Sequence, residues 1–159
     1  MIGLATGMSI EGNKIFVYAI SSFVMQRCLE QIKVDLCIPN LPVVLIGSGS
    51  TFTYSFHGPT HQAIEDVAMM RSLPNMSILN PCDNISAEAA VEFAFKSSGP
   101  VYIKLDKGFF PNIYSNHKDC LKGIHKYKTG SDITILTTGH MTQKTKEICQ
   151  ILQKKNLKP

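Results

Sequence analysis

Two histidines flank a turn that is followed by residues able to start a helix. Residues 57–66 read HGPTHQAIED, so His57 precedes a glycine-proline pair and His61 follows it. The Gly-Pro pair favours a sharp change of chain direction, and Thr60 is a suitable N-cap for a helix that ends near Arg71. Loops of this kind often present side chains to a ligand. The segment therefore predicts an exposed, chemically competent pair of histidines.

His61 falls in the first turn of this predicted helix. The partial positive charge of a helix N-terminus disfavours imidazolium, so we expect a neutral imidazole that hydrogen-bonds a substrate oxygen. The alternative is a turn histidine in solvent with no chemical role, and the local pattern leaves both readings open.

Composition restricts the function classes. A chain of 159 residues with 44% hydrophobic and 18% charged residues is typical of a globular domain that buries most of its apolar surface. The five cysteines form no CxxC pair, so neither a disulfide framework nor a zinc site is predicted. With no signal-like start and no membrane-length apolar run, a cytoplasmic location is expected.

The net charge of +4 is concentrated late in the chain, in the segments Lys118–Lys128 and Lys144–Lys158. No basic stripe interleaved with aromatic residues marks a nucleic-acid site, and neither nucleic acid nor membrane is predicted as a partner. A solvated face and a basic tail account for the charge, and a small phosphorylated substrate would suit it.

Short apolar or β-branched runs alternate with amphipathic ones, which predicts an α/β fold with a doubly wound, mostly parallel sheet between layers of helices. The predicted strands are Ile15–Ala19, Val43–Ile46, Ser77–Leu79, Val101–Leu105 and Ile133–Thr137. The predicted helices are Phe23–Leu36, Thr60–Ser72 and Ser86–Ser98, the last capped by Ser86.

Both ends of the chain lack features of complete elements. Residues 1–12 look like the end of a helix without an N-cap, with an apolar face formed by Met1, Leu4, Ala5 and Met8. Residues 109–130 look like a linker, and one strand with one helix, about Thr142–Lys155, follows it. We therefore predict a domain over residues 1–108, a linker over 109–130, and the beginning of a second domain over 131–159, with further chain expected at both ends.

Four linked motifs carry a family resemblance. In chain order they are GPTHQAIED at 58–66, MRSLPNM at 70–76, NPCD at 80–83 and GPVYIKL at 99–105. In order and spacing they resemble the pyrimidine-binding domain of transketolases. The resemblance extends to residues 1–7 upstream and 132–139 downstream, and so covers nearly the whole chain.

The resemblance implies a thiamine diphosphate enzyme that moves a two-carbon ketol unit between sugar phosphates. A domain like this one would hold the pyrimidine ring, while a partner domain or subunit of the homo- or hetero-oligomer would hold the diphosphate and a Mg²⁺ or Ca²⁺ ion. The family's catalytic glutamate corresponds to a position before Met1, and Glu11 and Glu30 are not substitutes for it. The chain alone is therefore expected to be inactive.

The resemblance also implies roles for individual residues. His61 matches the histidine that contacts the donor sugar, and His57 stands where transketolases have an aspartate that recognises a donor hydroxyl. Lys107 takes the position of an arginine that binds the sugar phosphate. Phe23 and Arg27 fall in the segment that lines the pyrimidine pocket. The simpler alternatives are a core position for Phe23, an ion pair of Arg27 with a nearby glutamate, and a solvated loop lysine.

Two other readings of the whole chain stay open. One is a catalytically inactive fragment or assembly module of the same fold. The other is a subunit of a different thiamine diphosphate enzyme, of the deoxyxylulose phosphate synthase or ketoacid dehydrogenase β type.

Overall fold

The computed structural model describes residues 1–120 and 123–159. The chain forms two compact units, the first made of Met1–Asn80 and Val91–Lys107, the second of Pro81–Ala90 and Gly108–Pro159. Within the described residues, we find no helix with the length and apolar character needed to cross a membrane.

The first unit contains four strands, β1 (Ile15–Ile20), β2 (Val43–Ser48), β3 (Ser77–Leu79) and β4 (Val101–Leu105). They form a parallel sheet in the order β1-β2-β4-β3. Helices flank the sheet, so the predicted α/β class and four of the five predicted strands are confirmed. Central strands of such a sheet are covered on both faces, which is why β2 starts as an unbroken apolar run with Val43, Val44 and Leu45 fully buried.

The helical segment after β1 is interrupted. The sequence predicts one helix over Phe23–Leu36, and that prediction is wrong: α2 (Ser21–Met25) and α3 (Leu29–Gln31) are separate, and a π-helical stretch follows over Ile32–Cys37. Cys28 has φ −116° and ψ 12°, outside the α-helical range, and this breaks the helix. Helix α2 begins at the residue directly after β1, so its side chains stay at the end of the sheet.

The first helix, α1 (Ile2–Ile10), is confirmed, but its predicted apolar face is wrong. The buried residues are Ile2, Ala5 and Ser9, whereas Leu4 is 70% exposed and Met1 and Met8 are also exposed. Spacing alone cannot orient this helix, because apolar residues occur around most of its circumference.

The helix predicted from Thr60 is also wrong at its start. Helix α4 covers Asp66–Arg71, and the residues before it form a loop closed by an antiparallel bridge in which Thr51 and Ala63 exchange backbone hydrogen bonds of 3.1 and 3.0 Å. His61 therefore lies in a turn, where its backbone N–H donates to the carbonyl of Gly58 at 3.1 Å. Since His61 is not in the first turn of a helix, no helix dipole acts on its imidazole.

The second unit contains the start of α5 (Asn84–Lys96), the short α6 (His117–Cys120) and α7 (Met141–Lys154). Helix α7 confirms the helix predicted over about Thr142–Lys155. The strand predicted over Ile133–Thr137 is wrong: residues 133–137 form no strand. Leu136 is 84% exposed and Ile133 is 39% exposed, so most of the apolar surface of this run is not packed within the described part of the chain. Of the predicted linker, Leu121 and Lys122 lie outside the described residues.

Asp83 caps α5, a role predicted for Ser86. Its Oδ1 accepts hydrogen bonds from the backbone N–H of Ser86 at 2.8 Å and from the Ser86 hydroxyl at 2.6 Å. Its Oδ2 accepts from the N–H groups of Ile113 and Tyr114 at 2.6 and 3.0 Å. Burial alone would raise the pKa of Asp83, but the Ser86 side chain and these three N–H groups outweigh it and lower the pKa. One carboxylate thus joins a helix start to a distant segment of the second unit.

We predict that Asp83→Ala lowers the free energy of unfolding of the second unit by about 1–2 kcal/mol at neutral pH, because four hydrogen bonds to a carboxylate are lost. A lowered folded-state pKa contributes stability that is present above the unfolded value of 3.8 and is lost as pH falls through the folded pKa. Urea denaturation as a function of pH measures both effects.

Asp83→Asn is the matched control, since it keeps one acceptor and cannot titrate. Its stability should fall less steeply in acid than that of the unmodified chain. Asp132, whose pKa is also lowered by a hydrogen bond from the Lys158 backbone, is present in both proteins and cancels from the comparison. Identical acid profiles would contradict the role assigned to Asp83.

Candidate active site

Three segments of the first unit leave the sheet at one edge. Strand β2 pairs in parallel with β1 on one side and with β4 on the other. The chain after β1 enters α2, the chain after β2 enters the loop of residues 49–65, and the chain after β4 reaches Asp106 and Lys107. Because carboxyl ends of neighbouring parallel strands coincide, residues far apart in sequence meet there.

A continuous row of aromatic and imidazole rings lies at this edge, with the guanidinium of Arg27 at one end. We call it the ring row; its members are Arg27, Phe23, His61, His57 and Phe56. The Arg27 guanidinium lies 4.0 Å from the centroid of the Phe23 ring. The Phe23 and His61 rings meet edge to face at 4.9 Å, a favoured geometry for aromatic pairs. His61 and His57 follow at 5.0 Å, and His57 and Phe56 at 4.5 Å.

Lys107 extends the row through Tyr54. The Lys107 ammonium lies 5.1 Å from the centroid of the Tyr54 ring, within the range of a cation–π contact, and the Tyr54 and His57 rings are 6.3 Å apart. Lys107 itself is exposed. The five residues predicted from the sequence to form the site are therefore brought together, with Tyr54 as the link that the sequence analysis missed.

The backbone of the loop is held in unusual conformations. Gly49 has φ 74° and Thr51 has φ 51°, and a positive φ is rare for a β-branched residue. A Cβ at Gly49 would overlap the Tyr54 ring. The Ser50 hydroxyl donates to the Asp106 carboxylate, and the Gly49 N–H donates to the Leu105 carbonyl at 2.9 Å. These contacts tie the loop after β2 to the segment that carries Lys107.

His61 has one engaged and one available ring nitrogen. The Thr60 hydroxyl lies 2.9 Å from Nδ1 of His61. When this hydroxyl donates to Nδ1, the proton of the neutral ring resides on Nε2, which is then a hydrogen-bond donor. His61 is half-buried and His57 is exposed, so the ring row can be reached from solvent.

Phe23 and Arg27 occupy a surface position on α2 and on the turn after it. Phe23 is half-buried, so it is not a core residue, and Arg27 covers its ring. The adjacent Ser22 is buried, and its hydroxyl has no hydrogen-bond partner among the described residues. A half-buried aromatic side chain suits a stacking contact with a planar heteroaromatic ligand.

Two glutamates considered in the sequence analysis lie away from this arrangement. Glu11 is exposed in the turn after α1, and Glu30 is exposed on α3. Across residues 1–120 and 123–159, no group of three or more histidine, cysteine, aspartate or glutamate side chains is placed to hold a metal ion.

Three buried polar residues of the first unit were not predicted from the sequence: Asp66, Tyr102 and Lys104. Asp66 is fully buried and accepts hydrogen bonds from the Tyr102 hydroxyl at 3.0 Å and from the Lys104 ammonium at 2.9 Å. Burial and the Asp66 charge raise the pKa of Tyr102, so its hydroxyl stays protonated and donates. The one available signal is a lysine in the otherwise apolar run Val101–Leu105.

Comparisons with known proteins agree in pointing to one family. The family model described as "Transketolase, pyrimidine binding domain" matches residues 1–111. A subunit of apulose-4-phosphate transketolase from Phocaeicola vulgatus is 28% identical over 158 residues, covering 98% of this chain and 51% of that protein. A subunit of 6-deoxy-6-sulfo-D-fructose transketolase from Clostridium sp. is 32% identical over 142 residues, covering 89% of this chain and 44% of that protein.

A solved structure gives the same result. The structure described as "Split gene transketolase, inactive beta4 tetramer" superimposes with a TM-score of 0.84 at 32% identity, covering 98% of this chain and 50% of that one. This chain therefore spans about half the length of the relatives it matches.

The Gly49–Tyr54 contact can be tested without any ligand. We predict that Gly49→Ala lowers the free energy of unfolding by about 2–4 kcal/mol, because a Cβ meets both an unfavourable backbone conformation and the Tyr54 ring. In a Tyr54→Ala background the same substitution should cost about 1–2 kcal/mol, the backbone part alone. Equal costs in both backgrounds, measured by chemical denaturation, would show that the ring does not constrain Gly49.

Proposed function

This chain belongs to the transketolase family by its pyrimidine-binding domain, and we propose that it supplies the pyrimidine-binding half of a thiamine diphosphate-dependent transketolase. The reaction would transfer a two-carbon ketol unit between sugar phosphates. The observation that carries the proposal is the ring row, since it gathers at one edge of the sheet the histidines, aromatic ring and cations that the family resemblance assigns to this chemistry.

In this proposal His61 contacts the donor sugar. An Nε2–H donor directed at a substrate oxygen stabilises negative charge that develops there in the transition state. The Thr60 hydroxyl supports this role by engaging Nδ1. The centroids of the His57 and His61 rings are 5.0 Å apart, so His57 would contact the same sugar. Because transketolases usually have an aspartate at this position, His57 would determine which arrangement of sugar hydroxyls is accepted.

Lys107 would bind the phosphate of the sugar. Lys107 is exposed, and its ammonium lies over the Tyr54 ring in a cation–π contact. Lysine supplies a point charge and lacks the bidentate fork of arginine, so the phosphate would be attracted with less fixed geometry.

The residues of α2 fit a thiamine diphosphate pyrimidine. Phe23 presents a half-buried ring for an aromatic contact, Arg27 covers that ring, and the buried Ser22 hydroxyl lacks a partner in the described residues. When bound, the cofactor supplies the nucleophilic carbon chemistry that protein side chains lack. The protein's contribution is to hold the ring, orient the sugar and donate hydrogen bonds.

A partner domain or subunit would hold the diphosphate and a Mg²⁺ or Ca²⁺ ion. Support comes from the relatives, two of which are named as transketolase subunits and one of which is described as an inactive tetramer of its β chain.

We further propose that the active form is a dimer or larger oligomer in carbohydrate metabolism. We also propose that it is located in the cytoplasm, where free thiols such as those of the five cysteines persist. We also propose that residues 1–108 form the pyrimidine-binding domain, residues 109–130 a linker, and residues 131–159 the beginning of a second domain.

One observation favours the second candidate function, a catalytically inactive assembly module. The β-chain tetramer that this chain resembles is described as inactive. A module of that kind would keep the fold and would still bind a partner, but its ring row would not affect any reaction rate.

The test is ketol transfer by this chain, preceded by a segment that carries the family's catalytic glutamate and combined with a diphosphate-binding transketolase subunit from the same genome. We predict that His61→Ala lowers kcat/KM by about a hundred-fold, through loss of a transition-state hydrogen bond. Lys107→Ala should raise the KM for the sugar phosphate by about ten-fold with kcat unchanged, since it removes binding common to ground and transition states.

His125→Ala and Lys33→Ala are the matched controls, because both residues are exposed and lie outside the ring row. They should leave both constants unchanged. Unchanged ketol transfer in His61→Ala would refute the site assignment. Absence of ketol transfer in the unmodified complex, despite stable association with the partner, would favour the assembly module.

A further inference from the structure

The carboxylate of Asp66 has three hydrogen-bond donors although it is fully buried. The Lys104 ammonium donates to Oδ1 at 2.9 Å, the Val67 N–H donates to Oδ1 at 2.8 Å, and the Tyr102 hydroxyl donates to Oδ2 at 3.0 Å. The Lys104 side chain is only 10% exposed. An unpaired buried charge costs several kcal/mol, so this carboxylate is held where all three donors reach it.

The same polar cluster extends to the start of α2. The Ser21 hydroxyl donates to the Ser48 carbonyl at the end of β2 at 3.2 Å and lies against the Tyr102 hydroxyl. A Cβ at Gly47 would be 2.6 Å from the Tyr102 oxygen and 2.8 Å from the Ser21 oxygen, so glycine leaves the room that this contact needs. The cluster of Ser21, Asp66, Tyr102 and Lys104, here called the buried cluster, joins α2, β4 and α4.

The starts of α2 and α4 are each close in sequence to a member of the ring row. Phe23 lies two residues after Ser21, and His61 lies five residues before Asp66. The separation of 4.9 Å between their rings therefore depends on where α2 and α4 begin. An exposed hydrogen bond of 3.1 Å from Gln26 to Glu65 also spans these segments, but water competes with it, whereas the buried bonds are directional and protected.

We propose that Lys104, Asp66 and Tyr102 are positioning residues that hold His61 against Phe23. A buried ion pair is seldom more stabilising than apolar residues of similar volume, so stability alone does not explain it. Directional hydrogen bonds fix the α4 start relative to β4 and α2, as van der Waals packing cannot. The inference rests on the proposed function only in taking the Phe23–His61 pair as the working part of the site.

The experiment measures the ¹H NMR signal of the His61 ring, which the Phe23 ring current displaces when the two are in edge contact. His61→Ala assigns the signal, and Phe23→Leu gives its position without the ring current. We predict that in the double variant Asp66→Leu, Lys104→Met the displacement falls by more than half. The thermal midpoint should stay within a few degrees of the unmodified chain, because no buried charge is left unpaired.

Tyr102→Phe is the second variant, because it removes one donor and leaves the ion pair intact. It should reduce the displacement in the same direction by a smaller amount, and it decides the question if the double variant fails to fold. Gln26→Ala is the control, and it should leave the signal within the range of the unmodified chain.

A folded double variant, or a folded Tyr102→Phe variant, with an unchanged His61 signal would overturn the proposal. So would a Gln26→Ala variant that loses the displacement while Tyr102→Phe keeps it. The readout needs no cofactor, substrate or partner. A chain without ketol transfer can still show the predicted shift, and an active chain can fail to show it, so failure of the proposed function is distinguishable from failure of this inference.

Discussion

Parallel pairing of β1, β2 and β4 is the constraint on which the site depends. It forces α2, the loop of residues 49–65 and the segment with Lys107 to leave the sheet at the same edge. Residues separated by more than 80 positions in sequence, such as Phe23 and Lys107, therefore belong to one surface. The ring row is a consequence of this topology, since each of its members lies within a few residues of a strand end or in the loop between them.

The edge alone does not place side chains to within hydrogen-bonding precision, and the buried polar groups supply the additional restraint. Asp66 takes the first position of α4 and is joined to β4 through Tyr102 and Lys104. The Ser50–Asp106 bond and the Thr51–Ala63 bridge restrain the other end of the loop. A loop fixed at both ends can hold Thr51 at positive φ and keep two histidine rings 5.0 Å apart.

The sequence predicts the strands well because the physical signal is local. Strands covered on both faces must be apolar, and four of the five predicted ones form within two residues of the predicted bounds. The fifth, Ile133–Thr137, has the same composition but no neighbouring strand in the described residues, and strand formation requires a partner. The helix start at Thr60 fails for a related reason, because the Thr51–Ala63 bridge is a long-range contact that competes with local capping.

The site residues divide in the same way. His61 is proposed because it lies in one of the linked motifs, and His57, Phe23, Arg27 and Lys107 because the family resemblance assigns roles to their positions. The structure brings these five residues into one series of ring contacts. Tyr54 and the buried cluster cannot, since their partners lie far away in sequence: Asp66 meets Tyr102 and Lys104 at separations of 36 and 38 residues. Only the lysine within an apolar strand hints at a buried counter-charge.

We propose that this edge of the sheet receives the pyrimidine ring of thiamine diphosphate. The measurement is an isotope-filtered NOE experiment on the chain with ¹³C-labelled phenylalanine rings, in complex with an unlabelled diphosphate-binding transketolase subunit and with millimolar thiamine diphosphate. We predict NOEs from the pyrimidine methyl group to the Phe23 ring, assigned by their loss in Phe23→Leu. Cofactor binding with NOEs only to phenylalanines outside the ring row would contradict this placement.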